Sequence, residues 1–403
     1  MAVATGPRER ARQLRRFITL AESDRRHSGG TNRALADFEQ ALTEGQVSGK
    51  DHSVRCLFEE LVPDGREIVE SWDPRNGGRG ITLSESAIET GNFTAISGQI
   101  VYQSVLDAYD KPGMIGSLLC PDRQTAFDGE KIAGIAEIGD HAEVVDEGGS
   151  YPTIGTSAEY IETPRTTKRG FIVPVTKEAI FFDRTGQVLQ RAGDVAEWLG
   201  VNKEKRCIDA AVGTTSLYKR NGRSATTTYG DSSGDHDFDN LAASNALADW
   251  TDIENALLLF DGMTDPVTAE PINVLGGLTL VVPSALKLTA MSILNATEVR
   301  EVTNTNTTTI SANPLSGEFA GTRLDITIAC SPYVASRVGN STTWFLGNPS
   351  KAFAYGVNWP ITSVEAPTNS NDEFHRDIVA QFKVSERGTV EAHNPRFMVK
   401  STA

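Results

Sequence analysis

The chain has 403 residues, of which 39% are hydrophobic and 23% charged, with 36 glycines and a formal net charge of -15. That length supports two or three domains with ample core. The acidic balance argues against a dedicated DNA-wrapping protein, which would need clustered Lys and Arg to neutralise phosphates, but leaves room for a local basic patch.

The chain opens on a basic arm, in which residues 7 to 26 hold seven arginines against Glu9, Glu22 and Asp24. It has no continuous apolar run of the signal-peptide kind, and no later stretch has the ~20 apolar residues of a membrane span. The expectation is a protein that stays soluble in the cell that makes it. "SGGTN" at 28–32 breaks the arm, and Leu35, Phe38 and Leu42 then recur at helical spacing. "SGQIVYQSVLDAYD" at 97–110 reads as a helix, stopped at Lys111, Pro112 and Gly113.

From 133 to 176 the pattern favours extended structure in two limbs of opposite charge. The first carries Glu137, Asp140, Glu143, Asp146 and Glu147 without a cation, and the second carries Arg165, Lys168, Arg169 and Lys177 against Glu162. "GGSYPTIG" between them supplies turn residues, so a long hairpin with one acidic and one basic edge is expected. Pro174 in "TPRTTKRGFIVPVTKEAIFFDRTG" cannot donate to a central ladder and marks an edge or bulge.

"QVLQRAGDVAEWLGVNKEKRCIDAAV" is the strongest helical stretch. It predicts a helix over 187–212, about 39 Å long at ~1.5 Å per residue, with Val188, Ala192, Val195, Leu199, Ile208 and Val212 as its apolar stripe. Gly193 and Gly200 weaken it. Residues 214–247 read as a surface excursion, and Thr251 with Glu254 forms a candidate capping box for a helix carrying Ile253, Leu257 and Phe260. "LTLVVPSALKLTAMSILNA" predicts a buried strand, a proline stop and a helix with Leu286, Ala290 and Ile293 on one face. "TNTNTTTISANP" at 303–314 reads as a polar loop, "RLDITIACSPYV" as a strand, and "DIVAQFKVSERGTVEAHNP" as a β-hairpin turning at Glu386, Arg387 and Gly388.

Chemistry-bearing motifs are missing from the sequence. It contains no G-x-S-x-G, HExxH or strand-borne G-x-G-x-x-G motif, and "GQVSGKD" has its glycines too close for a phosphate loop. Cys56, Cys120, Cys207 and Cys330 lie far apart and read as free thiols, and the six histidines are scattered. Asp231, Asp235, His236, Asp237 and Asp239 match no Ca²⁺-loop spacing and read as a solvated acidic loop. The expectation is a non-enzyme with no cofactor, no metal and no catalytic residue.

The order of these elements resembles the major capsid proteins of tailed bacteriophages, the Hong Kong 97-like fold. The stretches that carry the resemblance are "TPRTTKRGFIVPVTKEAIFFDRTGQVLQRAGDVAEWLGVNKEKRCIDAAVG", "LTLVVPSALKLTAMSILNA", "WFLGNPSKAFAYGVNWPITSVE" and "DIVAQFKVSERGTVEAHNPR", within residues 95 to 403. The resemblance implies an α+β fold with an N-terminal arm (1–95), the start of a peripheral domain (96–132), an extended loop (133–176) and a spine-helix segment (177–213). An inserted axial domain (214–355) and closing peripheral strands (356–403) complete it. It further implies self-assembly as pentamers and hexamers into an icosahedral head that encloses double-stranded DNA without sequence-specific binding. Portal, scaffold or decoration proteins would be partners, with assembly in the host cytoplasm and no membrane. Glu137, Asp140, Glu143, Asp146, Glu147, Arg165, Lys168 and Arg169 would then lie at the subunit interface. The alternatives are an encapsulin-like nanocompartment shell of the same fold, a polymeric tail or adhesion protein, and an enzyme with a dispersed site.

Overall fold

The structure is a computed structural model. It describes residues 55, 59, 100–109, 113–133, 144–151, 159–176, 187–231, 236, 238–265, 269–274, 276–296, 298–304, 307–313, 315, 326–366 and 378–403. The basic arm, Leu35, Phe38, Leu42, Glu137, Asp140 and Glu143 lie outside the described residues, as do the side chains of Val188 and Ala192.

The chain divides into two compact units. The smaller takes its described residues from 1–112, 168–201 and 359–387, and the larger comprises 113–167, 202–358 and 388–403. This partition falls at other points than the six segments expected from sequence. Residues 388–403 join the larger unit because strand β13 (Met398–Ser401) pairs antiparallel with β10 (Trp344–Gly347) and parallel with β5 (Leu241–Ala242).

The larger unit is built on a five-stranded sheet of order β5-β13-β10-β6-β9, with β6 at Leu278–Val282 and β9 at Ile326–Cys330. All five residues of "LTLVV" are buried, as an unbroken apolar run requires of a strand covered on both faces. Helix α4 (Trp250–Asp261) packs Ile253, Ala256 and Phe260 inward, and α5 (Lys287–Asn295) packs Ala290 and Ile293. Helix α6 (Pro332–Val338) starts on Ser331, whose hydroxyl accepts from the Tyr333 N–H, and ends at Gly339 with φ 86°.

In the smaller unit helix α1, described over 100–109, buries Ile100, Val101 and Val105. Parts of β4 (Thr167–Thr176), β11 (Phe353–Glu365) and β12 (Ile378–Ala392) belong to this unit, in the sheet order β1-β11-β12-β4, with β1 at Asp122–Gln124. Strand β4 is terminal in that order, the position Pro174 permits. Its Val173 and Val175 face the core while Ile172 is exposed. The long helix, α3, runs over Gln187–Ala211, as its periodicity predicts.

Four expectations are corrected. Residues 303–314 are not a loop, because β7 (Glu298–Asn304) and β8 (Thr307–Ala312) pair antiparallel, the run of β-branched threonines favouring strand. The capping box of α4 sits two residues earlier. Asp249 accepts from the Thr251 N–H at 2.8 Å, and Asp252 accepts from the Asp249 N–H at 2.9 Å. Strand β12 does not turn at 386–388: Glu386 is buried and accepts from the Tyr109 hydroxyl at 2.5 Å, while a Cβ on Gly388 would lie 2.8 Å from the Gly356 carbonyl oxygen. A turn signal there yields to close strand packing. Finally, 133–176 is not one continuous hairpin. Strand β2 (Lys131–Ala133) pairs with β3 (Tyr160–Glu162), and from Thr167 onward the basic limb is sheet strand β4.

Candidate subunit interface

Lys131 stands on the ascending strand and Glu162 on the descending one, 3.8 Å apart, and Lys219 also bonds Glu162. These cations, Lys219 foremost, hold the Glu162 carboxyl below its ordinary range. Arg220 pairs with Glu159, and the Lys131 ammonium lies 4.2 Å over the Tyr160 ring.

Of the predicted interface residues, Asp146 and Glu147 are exposed beside a turn in which the Gly149 N–H donates to the Asp146 carbonyl at 2.8 Å. Arg165 and Lys168 are exposed and Arg169 is half-buried. In the smaller unit the Lys168 ammonium lies 5.7 Å over the Trp359 ring, and the Arg387 guanidinium lies 5.4 Å over the same ring. Sequence reasoning missed Trp359, although an aromatic flanked by Pro360 in a strand-forming stretch was the available signal.

The predicted stripe of α3 is partly misplaced. Ile208 and Val212 are fully buried, but Val195 is 42% exposed and Trp198 is 67% exposed. The buried stripe is Gly193, Ala196, Gly200, Glu204, Cys207 and Ala211, spaced by three and four residues. Small side chains form it because another backbone comes close: a Cβ on Gly200 would sit 2.4 Å from the Tyr109 carbonyl oxygen in α1. Val195 lies about 200° around the helix from Gly193, off that stripe.

Within the larger unit, the carboxylates of Glu204, Asp209 and Glu391, which look like surface residues in the sequence, are buried. Glu204 accepts from the N–H groups of Ile115 at 2.9 Å and Gly116 at 2.5 Å, satisfying the first turn of α2 (Gly116–Leu119). Burial pushes its carboxyl up more than these two donors pull it down. Asp209 receives a two-pronged contact from Arg337, with both N···O distances 2.5 Å, which raises the guanidinium's affinity for its proton. Arg123 joins Glu391 at 3.0 Å and Glu130 at 3.2 Å, and the His393 ring nitrogen lies 3.0 Å from Glu391. Burial raises the Cys120 thiol and the Tyr229 hydroxyl and lowers the Lys400 ammonium.

These groups are tied to backbone and to one another, an arrangement that holds a fold together. His236 is buried, with Thr227 at 2.9 Å and its ring edge-on to Phe238. Among the described residues no cluster of His, Cys, Asp or Glu could hold a metal ion, and no helix is long and apolar enough to cross a membrane.

Comparison with curated proteins finds no match. Similar solved structures include the virus-like particle from Pyrococcus furiosus, at 13% identity over 74% of this chain and 96% of that chain, TM-score 0.37. The capsid of a native GTA particle is 10% identical over 72% of this chain and 90% of that one, TM-score 0.40. A phage-related protein from Bordetella bronchiseptica RB50 is 12% identical over 75% and 95%, TM-score 0.43. The family model described as phage capsid protein matches residues 160–401, more than half of the sequence, from the foot of the hairpin to the last strand. The chain belongs to the phage capsid protein family.

Proposed function

We propose that this capsid shell protein is the major capsid protein of a tailed phage, with the Hong Kong 97-like arrangement, and that it self-assembles into the icosahedral head around packaged double-stranded DNA. The observation that carries the reading is the family match over 160–401, which takes in the 25-residue helix α3 and the five-stranded sheet. In this reading residues 133–166 are the extended loop, α3 is the spine, and the residues around β6 and α5 belong to the axial domain. Portal, scaffold or decoration proteins would be its partners and the virion its location, and its work would be structural and not catalytic.

Such a shell needs no strong single contact. Each copy bridges several neighbours, so modest interfaces multiply through effective concentration, and exposed ion pairs worth about 0–1 kcal/mol each set register and reversibility. Electron microscopy of the purified protein across a salt series, with cognate scaffold supplied, tests the reading. Closed particles are expected, and monomers or small oligomers alone would sink it. Particles from producing cells should also hold nuclease-protected DNA; protein-filled particles without it would favour a nanocompartment.

A further inference from the structure

We propose that Asn221 is a positioning residue for assembly, which fixes the foot of the extended loop by adding residues 219–221 to it as a third strand. The inference rests on the capsid reading, in which the chain leaving this foot is the extended loop, and adds to it the element of the same subunit that aims the loop. Strands β2 and β3 have three residues each, and a ribbon that small is marginal by itself. The segment after α3 joins its open edge. Ile161 and Arg220 form an antiparallel bridge. It is flanked by the Asn221 N–H donating to the Tyr160 carbonyl at 2.9 Å and the Glu162 N–H donating to the Lys219 carbonyl at 2.9 Å. The next rung of an antiparallel ladder would run from the Tyr160 N–H to the Asn221 backbone carbonyl. The chain has already turned there, with φ 50° at Asn221 and 72° at Gly222, the Asn-Gly signature of a tight hairpin turn. The Asn221 side-chain oxygen takes that place and accepts from the Tyr160 N–H at 2.9 Å.

The rest of the turn holds this rung in place. The Arg223 N–H donates to the Arg220 carbonyl at 3.0 Å and closes the turn, and Tyr218 bridges Thr226. Tyr218 is buried in the larger unit's core, as is Ile161, so both strands of the join are tied to packed residues. Lys219 pairs with Glu162 and Arg220 with the buried Glu159, so cations of the turn face carboxylates of the foot and set the register. The loop beyond carries Val144 at 98% exposure and Tyr151 at 83%, apolar side chains that its own subunit leaves in solvent. A loop held in one direction before it meets a neighbour loses less freedom on binding. That advantage recurs at every repeated contact of a closed particle.

The test compares Asn221→Ala, which removes the acceptor, with Asn221→Asp, which keeps it beside Lys219 and Arg220. Urea unfolding of the dilute subunit checks the fold, hydrogen exchange read by mass spectrometry over peptides spanning 159–163 reports the rung, and electron microscopy counts closed particles. Asn221→Ala should speed exchange at the foot about tenfold while its unfolding midpoint stays near wild type. It should also lower the yield of closed, uniform particles roughly tenfold or more, because every copy repeats the misdirected loop. Asn221→Asp should restore both. Wild-type particle yield from Asn221→Ala overturns the proposal, as does unchanged exchange or a failure of Asn221→Asp to rescue. A midpoint that falls in step with the yield also overturns it, because that is the mark of a residue that only stabilises the subunit. Should Asn221→Ala not fold, Gly222→Ala gives the same decision, since it strains the turn at φ 72° and brings a Cβ within 3.3 Å of the Tyr160 hydroxyl without touching the acceptor. Faster exchange with fewer particles is expected there, and normal particles refute the role. Wild-type protein that forms no particles overturns the capsid reading itself, a result distinct from a variant that assembles normally.

Discussion

Two glycines in one helix should respond to alanine with opposite signs. In a helix interior alanine is better than glycine by about 1 kcal/mol, so propensity alone makes both Gly193→Ala and Gly200→Ala stabilising. Space decides otherwise at Gly200. A Cβ there would stand 2.4 Å from the Tyr109 carbonyl oxygen and 3.3 Å from its carbonyl carbon, and backbone cannot swing aside as a flexible side chain does. Helix α1 would have to retreat by about 1 Å, straining a packed layer at a cost of roughly 1–3 kcal/mol and thinning the contacts around it. Set against the ~1 kcal/mol propensity gain, the net for Gly200→Ala is a loss of up to about 2 kcal/mol. At Gly193 the nearest atoms are the Ser104 hydroxyl oxygen at 3.5 Å and the Ala108 Cβ at 4.0 Å, ordinary contacts, so Gly193→Ala keeps most of the ~1 kcal/mol gain. Urea unfolding of the dilute, unassembled subunit measures both as midpoint shifts at unchanged slope. A Gly200→Ala subunit more stable than wild type, or shifts of the same sign, would show that α1 and α3 do not approach this closely.

Glu204→Gln should cost about 1–3 kcal/mol, because an amide NH₂ group would face a backbone N–H. The Glu204 carboxyl is held above its unfolded-state value, so its proton-linked stability is full below the ordinary carboxylate range and is lost as pH rises through the raised folded value. The wild-type advantage over Glu204→Gln, followed by denaturant titration, should therefore shrink as pH rises across mildly acidic conditions, and growth instead would refute the sign. Arg337→Ala should cost about 2 kcal/mol, more than Asp209→Ala: the Asp209 side chain is only 12% exposed, whereas the 42% exposed Arg337 side chain can turn to water. Equal losses in thermal melts would contradict that asymmetry. Val195→Asp, on an exposed position, should change subunit stability by no more than about 0.5 kcal/mol, while Ala196→Asp, fully buried, should cost several times more; comparable melting temperatures for the two would return Val195 to the core.

What the sequence made legible was whatever a local signal determines. The apolar run of β6, the span of α3, the buried positions Ala290 and Ile293, and Pro174 on an edge strand all follow from periodicity or backbone chemistry. The misreadings share a cause, which is that tertiary contacts overrode a local preference. Glu386, Arg387 and Gly388 carry turn residues yet continue β12, because Tyr109 and the Gly356 backbone take up what a turn would have exposed. The α3 stripe was traced through its large side chains, when the buried face is the one with Gly193, Ala196 and Gly200. Glu204 lies on that small-residue stripe, four residues beyond Gly200, and that position was the signal that could have marked it as buried. Trp359 and its two cations come from three strands, so no window of sequence contains them.

The buried charges of the larger unit show how a shell subunit divides its energetics. Their bonds join residues far apart in sequence: Glu204 to Ile115, Asp209 to Arg337, and Arg123 to Glu391. Ion pairs whose carboxylate is buried add little net stability over well-packed apolar groups, but removing the partner cation leaves that carboxylate unpaired, which is costly. They therefore penalise alternative arrangements more than they deepen the native one. Hydrophobic burial around β6 and β10 supplies the bulk of the stability, while the polar contacts exclude register errors. A protein repeated many times in one shell depends on that division, because a displacement tolerable in a lone subunit recurs at each contact.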